Sequence, residues 1–391
     1  MLVLAKDVRA ALRAGHPWIY DRALRSPRDP IAPGALVEVC AEGGRGESLA
    51  VGFYDPTSPI RVRVLERDAT ARIDDAWVAE RARQAARCRT GDPALAETDA
   101  IRAIHGESDH LPGLVVDVYA GTAVAVFDGA AAAALWQPRL PAVLDGLRTG
   151  GVEIARVWGK TRGEGGALLV GDAPPEIVII REHGARYEVD VRRGQKTGFF
   201  LDQRQNRRMV RDLAAGVDVL NLFSYTGGFS VQAGLGGAAR VTTVDVAAPA
   251  IEAAQRNFTL SGLVPREHEF LAADAFAVLE AAAARQRRWD LVIADPPSFA
   301  PSEKAKPRAL AAYRRLNTMA LGAVAPGGVL VTASCSSHVT PDELLGVIGE
   351  SAAEARRRVR VRAELGAASD HPVRPGFAEG RYLKLLVVHV E

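Results

Sequence analysis

From about residue 181 to the carboxyl terminus, short apolar runs alternate with helical patterns, and this alternation constrains the fold more than any other feature of the chain. VDVLNLF, RVTTVD, HEFLAAD, WDLVIAD and GGVLVTAS read as strands. Between them FSVQAGLGGAA, APAIEAAQRNFTLSG and the stretches through LEAAAA and YRRLNTMALGAVA read as helices. Strands that are apolar on both faces must be covered on both, so the pattern predicts an α/β fold with a mostly parallel, Rossmann-like sheet over 181–391. The final RYLKLLVVHVE reads as a last strand that closes the sheet with an antiparallel pair.

The preceding 180 residues follow different patterns. Residues 1–70 read as short strands with turns at Pro33-Gly34 and Gly43-Gly44 and a proline, Pro59, before the alternating IRVRVLE, which suits a small β-barrel. Residues 71–180 open with the helix IDDAWVAERARQAARC and continue through strand-like LVVDVY and AVAVF, which predicts a small central α+β domain. Asp172-Ala-Pro-Pro175 reads as a linker. A chain of 391 residues is long enough for two or three such domains. No apolar run approaches the roughly eighteen residues of a membrane span, and Lys6 and Asp7 interrupt any signal-peptide core, so no membrane partner and a cytoplasmic placement are expected.

In an open parallel sheet, ligands gather at the carboxyl ends of the strands. The first strand of the alternating region ends in Asn221-Leu-Phe223-Ser224-Tyr225-Thr226-Gly227-Gly228, the second at Asp245, the third at Asp274 and the fourth at Asp295-Pro296-Pro297-Ser-Phe299. The first turn carries glycine but not the GxGxxG spacing that a pyrophosphate requires. S-adenosylmethionine has no phosphate and needs only a loop that admits its amino-acid end. Asp245 is placed to accept hydrogen bonds from both ribose hydroxyls, and Asp274 to receive the exocyclic amine of adenine. A single acid at a strand end often only caps the next helix. Three in successive units after one glycine-bearing turn point to a Rossmann-type nucleoside cofactor site, and the missing GxGxxG favours S-adenosylmethionine over a nicotinamide cofactor.

Asp295-Pro-Pro-Ser-Phe299 resembles the fourth motif of nucleic-acid base methyltransferases. Pro296 and Pro297 make a rigid turn that presents Asp295 to a base drawn out of its stack, and Phe299 offers a stacking face. Cys335 follows the fifth strand in Ser334-Cys-Ser-Ser-His338. Carbon 5 of a pyrimidine is too weak a nucleophile to attack a sulfonium methyl unaided, and a thiolate added at carbon 6 supplies the missing electron density. A free thiol is only a few per cent ionised at neutral pH, so a helix amino terminus or nearby cations should assist Cys335. Asp295 is the candidate for proton handling, and His338 either orients the thiol or belongs to the next helix start. Cys40 and Cys88 read as fillers, and three scattered cysteines exclude a disulfide framework and give no metal site.

Net charge is only +2, but residues 181–211 hold nine Lys or Arg against four acids. Such a basic stripe suits a phosphate-tracking surface, with Lys196 among its candidate RNA contacts.

The residues then resemble a known family, the bacterial 23S rRNA methyltransferases of the RlmI type. The resemblance runs through Gly15-His-Pro-Trp-Ile-Tyr20, Gly106-Glu-Ser, Gly194-Gln-Lys-Thr-Gly-Phe-Phe-Leu-Asp-Gln-Arg204, the 221–229 turn, Asp295-Pro-Pro-Ser-Phe, Ser334-Cys-Ser, Asp370-His-Pro and Glu379-Gly-Arg-Tyr-Leu-Lys384. It implies a PUA-like barrel at the amino terminus, Cys335 as nucleophile, and cytosine in 23S rRNA, free or in a large-subunit precursor, as target. It implies also that Gln203, Arg204 and the 223–228 loop hold the methionine end of the cofactor, Arg204 pairing with its carboxylate. A homodimer is a further implication. Three rival readings stay open on the residues alone. One is a methyltransferase for the exocyclic amine of guanine, another a nicotinamide oxidoreductase, and the third an RNA binder with an inactive methyltransferase domain.

Overall fold

The computed structural model describes residues 1–41, 47–162, 165–300 and 302–391; the Gly43-Gly44 turn lies outside the described residues. The chain forms two compact units, one of residues 1–180, 189–201 and 369–380, the other of residues 181–188, 202–368 and 381–391.

The first unit holds two five-stranded sheets. In the amino-terminal one, Leu2–Val3, Leu36–Cys40, Ser48–Tyr54, Ile60–Glu66 and Trp18–Tyr20 lie side by side in that order. The pair Leu2–Val3 with Leu36–Cys40 is parallel and the others are antiparallel. The second sheet runs Gly166–Val170, Arg156–Thr161, Thr122–Phe127, Leu114–Tyr119, Ala100–His105, accompanied by helices Asp75–Thr90, Ala130–Trp136 and Leu140–Thr149. Val78, Ala82, Ala86, Val143, Leu144 and Leu147 share one core with that sheet. Helices Asp75–Thr90 and Leu140–Thr149 approach so closely at Gly146 that an added Cβ would stand 2.2 Å from the Ala79 carbonyl oxygen. Asp172–Pro175 lies between the strands Gly166–Val170 and Val178–Glu182.

The second unit is the doubly wound sheet. Its strands are labelled β1 (Asp218–Leu222), β2 (Arg240–Asp245), β3 (Glu269–Ala272), β4 (Trp289–Ala294), β5 (Val324–Ser334), β6 (Val359–Leu365) and β7 (Lys384–Val390). Their order is β3-β2-β1-β4-β5-β7-β6, parallel from β3 to β5, with β7 antiparallel to both β5 and β6. The helices are α1 (Arg204–Leu213), α2 (Gly228–Leu235), α3 (Ala248–Leu260), α4 (Ala275–Ala284), α5 (Lys306–Ala323) and α6 (Pro341–Glu354). Leu220, Leu222, Val292, Ala294, Leu330 and Val388 are buried on strands of one core, against Leu316, Ala320 and Leu344 of the helices. Local signals set the boundaries: Asp274 caps α4, and Thr340 with Glu343 forms a reciprocal capping box ahead of Pro341 at the start of α6.

The α/β architecture and the antiparallel closing strand agree with the sequence reading. The edge strand β6 escapes it, because only alternate positions of Val359–Leu365 are even half-buried and its Arg and Glu residues hide the period. The basic stripe is also altered. Arg204 and Arg207 are completely or almost completely buried, so two of its nine cations contribute nothing to a surface. Arg181, Arg186, Arg192, Arg193, Lys196 and Arg208 remain exposed.

Candidate active site

The carboxyl ends of β1, β2, β3, β4 and β5 collect most of the residues singled out in the sequence. At the end of β1 the backbone makes a tight loop in which Phe223, Tyr225 and Gly227 all have positive φ, of 58°, 48° and 78°. Non-glycine residues rarely adopt this region, and such strain persists only where surrounding contacts impose it. Those contacts are visible: the Ser224 amide donates to the Val244 carbonyl at 2.9 Å, and the Tyr225 amide to Asp245 Oδ2 at 2.8 Å. Gly227 is obligatory for a second reason, since a Cβ there would stand 2.8 Å from Ala254 Cβ. The loop then enters α2 at Gly228.

Asn221 departs from the expectation of a cofactor contact. It is buried within β1, where its amide donates to Ser230 Oγ at 2.9 Å, so it ties the strand to α2. Asn221 Oδ1 and the Thr226 hydroxyl are both buried oxygens with no partner in the protein. Asp245 is half-buried; besides Tyr225 it accepts from the Ala247 amide at 2.9 Å through Oδ1. Directly after it Val246 is 77% exposed, an apolar side chain left open beside an acid. Asp274 is exposed and its Oδ1 accepts from the Ala277 amide at 3.0 Å, so one oxygen serves as the α4 cap and the other carries no such duty in the helix.

Asp295 is held from the side. Gln203 donates to Asp295 Oδ2 at 2.8 Å, and Asn206 donates to Gln203 Oε1 at 2.6 Å. Gln203, expected at the methionine end of the cofactor, therefore fixes the orientation of Asp295. Arg204, expected beside the cofactor carboxylate, is fully buried with its Nε 3.6 Å from Glu182 Oε2. Arg207 makes two contacts of 2.7 Å with the same carboxylate. A guanidinium removed from solvent needs a counter-charge, and here Glu182 already supplies one.

Beyond Asp295, Pro296 is buried and Pro297 exposed, while Phe299 is half-buried with its ring 4.8 Å from that of Tyr313 on α5. Tyr313 is a residue the sequence reading misses. Its hydroxyl accepts from Ser334 Oγ at 3.0 Å, and the negative charges of Cys335 and Asp295 both act on it. Burial raises its pKa first and those charges add to the rise, so the phenol stays protonated. A second tie, from Ser336 Oγ to the Ala300 carbonyl at 3.1 Å, joins the loop after β5 to the loop after β4. Cys335 itself is half-exposed at the end of β5.

The aid expected for this thiol comes from a different source. The next helix, α6, begins only at Pro341, and His338 turns to Glu303, its Nδ1 3.3 Å from Oε2. Instead Lys384 stands at the start of β7, paired in register with Ser334. It had a legible signal, a lysine opening a strand otherwise read as buried. Tyr313 had none, because an aromatic residue on a helix is ordinary core. Lys196, expected at the substrate, belongs to the first unit, where its Nζ lies 4.5 Å from the Phe200 ring centre.

The arrangement suits a nucleoside without phosphates. Asp245 and Asp274 are hydrogen-bond acceptors for hydroxyl and amine groups, Val246 offers an apolar surface, and the orphaned Thr226 hydroxyl lies in the loop. No Lys or Arg occurs in 221–228, 245–247 or 274–276 to neutralise a pyrophosphate. Strand order and loops thus define the class, a nucleoside-cofactor enzyme on a doubly wound sheet.

Comparison with known proteins narrows the class. A family described as S-adenosylmethionine-dependent methyltransferase matches residues 150–372, and a PUA-like domain matches residues 2–67. A ribosomal RNA large subunit methyltransferase of Deinococcus radiodurans is 39% identical over 100% of this chain and 97% of its own length. Ribosomal RNA large subunit methyltransferase I of Klebsiella pneumoniae is 35% identical over 98% and 96%. Among solved structures, a Streptococcus mutans protein described as a SAM-dependent methyltransferase shares the fold at TM-score 0.85 and 22% identity, covering 100% of this chain and 99% of its own. A methyltransferase solved with S-adenosylhomocysteine does so at 0.87 and 22%, with the same coverage. The chain belongs to the S-adenosylmethionine-dependent methyltransferase family, in the branch of the large-subunit ribosomal RNA enzymes, and its cofactor is S-adenosylmethionine.

Proposed function

We propose that this chain methylates carbon 5 of a cytosine in 23S ribosomal RNA, with Cys335 as the nucleophile. The observation that carries the reading is the placement of Cys335 directly after β5, in the loop that Ser336 ties to the loop running from Asp295 to Ala300. Methylation of an exocyclic amine needs no thiol, whereas carbon-5 chemistry needs one beside an acid-base group.

The Cys335 thiolate adds to carbon 6 of the ring, and the electron pair of the 5,6 double bond moves toward carbon 5. Carbon 5 thereby becomes nucleophilic toward the methyl group that S-adenosylmethionine would supply, S-adenosylhomocysteine being the leaving group. Asp295, oriented by Gln203, takes the carbon-5 proton, directly or through one water; the sulfur–carbon bond breaks and the thiolate is restored. Tyr313, kept protonated, holds Ser334, the residue before Cys335, through the hydrogen bond to its hydroxyl. Asp245 and the 223–228 loop would hold the ribose and amino-acid ends of the cofactor, and Val246 and Asp274 would serve its adenine, the acid through the exocyclic amine. Pro296, Pro297 and Phe299 border the flipped base. Support for ribosomal RNA as the substrate comes from the Deinococcus and Klebsiella relatives, whose full length this chain matches. Functionally the chain divides into a barrel over 1–70, a central α+β segment over 71–180 and the catalytic segment over 181–391; the first two segments and parts of the third share one compact unit.

The test is transfer of label from S-adenosylmethionine to unmodified 23S transcript and to large-subunit precursor, followed by nucleoside digestion. Label in 5-methylcytidine supports the reading, and label in a methylated guanosine overturns it. Cys335→Ala is expected to lower transfer at least a thousandfold while cofactor affinity stays within about twofold of the parent; retained turnover removes the covalent route.

A further inference from the structure

Lys384 is 5% exposed, and its ammonium donates to the backbone carbonyls of Ser336 and of Tyr382, the latter at 2.8 Å. Its backbone pairs with Ser334 across the β5–β7 ladder, so the side chain brackets Cys335 between the residue before it and the residue after it. Among the described residues it forms no ion pair with a carboxylate. A buried ammonium held only by carbonyl dipoles lacks a counter-charge. The candidate is a thiolate at Cys335, the residue between the two that Lys384 contacts, whose charge acts on Lys384 more strongly than that of Glu343 on α6.

We propose that Lys384 is a positioning residue that stabilises the thiolate form of Cys335 by standing as its buried counter-cation. The thiol gives up its proton to solvent, the ammonium keeps its own, and no bond to Lys384 forms or breaks. This deepens the proposed function, since it rests on Cys335 being the nucleophile of that site.

The electrostatics of the neighbourhood agree in direction. Burial pulls the Lys384 pKa down to about 8, and the charges of Cys335 and Glu343 pull it back up. The coupling is mutual, so whatever favours the ammonium beside the sulfur favours the thiolate beside the nitrogen. Among the described residues, the other groups placed at this end of the sheet are neutral, acidic or already paired. Tyr313 from α5 stays neutral, Asp295 after β4 is an acid that opposes the thiolate, and Glu343 is engaged by Lys306 at 2.7 Å. His338 faces Glu303. As pH rises through about 8 the ammonium is lost and its assistance with it, which confines the effect to the range below that value.

The test is the rate of Cys335 alkylation by iodoacetamide against pH in the full-length protein, read by mass spectrometry of the peptide, with Cys335→Ala as background. The parent is expected to reach half-maximal reactivity below the value of about 8.5 typical of a free thiol. Lys384→Met should move that midpoint up by at least one pH unit, and Lys384→Arg should leave it at or below the parent's. Should Lys384→Met fail to fold by circular dichroism, Lys384→Gln is compared with Lys384→Arg by the same criterion. An unmoved midpoint in the neutral variant overturns the proposal. If Cys335→Ala abolishes methylation while that midpoint stays put, only the role of Lys384 is lost. If the midpoint moves but Cys335→Ala still methylates RNA, the thiolate pair stands and the covalent function does not.

Discussion

At the scale of single residues, the acids at the strand ends differ in what the protein already asks of them. Asp245 spends one hydrogen bond on the Tyr225 amide, which keeps the β1 loop against β2, and one on Ala247, while retaining lone pairs for a bound hydroxyl. Charge-assisted hydrogen bonds contribute about 1.5–3 kcal/mol each. Asp245→Ala is therefore expected to weaken S-adenosylmethionine roughly tenfold to a hundredfold in a calorimetric titration, and unchanged affinity would place the ribose elsewhere. Asn221 differs: it lies one residue inside the strand, where its amide nitrogen is given to Ser230 and its oxygen is left without a partner in the protein.

At the scale of elements, the cluster of Glu182, Arg204 and Arg207 joins the strand Val178–Glu182 to α1. Burial disfavours the charge on Arg207, and Glu182 more than offsets that penalty, holding the guanidinium's pKa above its usual value. Glu182→Gln leaves two buried guanidinium groups facing a neutral amide, so a loss of about 3–5 kcal/mol is expected in urea unfolding. A loss below about 1 kcal/mol would mean that the two cations are compensated by other groups. The same cluster explains why a run of basic residues does not translate directly into a basic surface. The sign of a side chain is written in the chain, but whether it faces water depends on which side of α1 packs inward.

Across the whole molecule, several sequence runs with no evident chemistry turn out to meet within the first unit. Trp18 donates to Glu107 at 2.8 Å and packs on Phe377 with ring centres 4.7 Å apart, and Arg102 and Arg89 bind the Asp370 carboxylate and carbonyl. Gly376 comes so close to Ala14 that a Cβ would stand 2.1 Å from its carbonyl oxygen. Thus Gly15–Tyr20, Gly106–Ser108 and Asp370–Glu379 act as structural joints, bringing a late segment back onto the amino-terminal sheet. Six cations of the 181–211 run remain on the surface. If Arg186 and Arg193 contact phosphate, replacing either with alanine should reduce the steepness of log K against log salt by about 0.7, the value for single strands. A filter-binding salt titration measures this, and an unchanged slope would remove that residue from the interface.

The sequence by itself determined the alternation of strands β1 to β5 with helices α2 to α5, the α/β class, the glycine-bearing turn, the strand-end acids and the position of Cys335 after the fifth strand. These are local matters: an apolar period, a cap or a turn is decided by residues a few positions apart. Only the tertiary structure decided that Gln203 orients Asp295, that Glu182 claims Arg204, that Tyr313 meets both Ser334 and Phe299, and that Lys384 flanks the thiol. Each of those depends on strands or helices brought together over long stretches of chain, and on which atoms lose their water when they meet. Side-chain identity is carried by the sequence, whereas partner and solvation are properties of the packed fold.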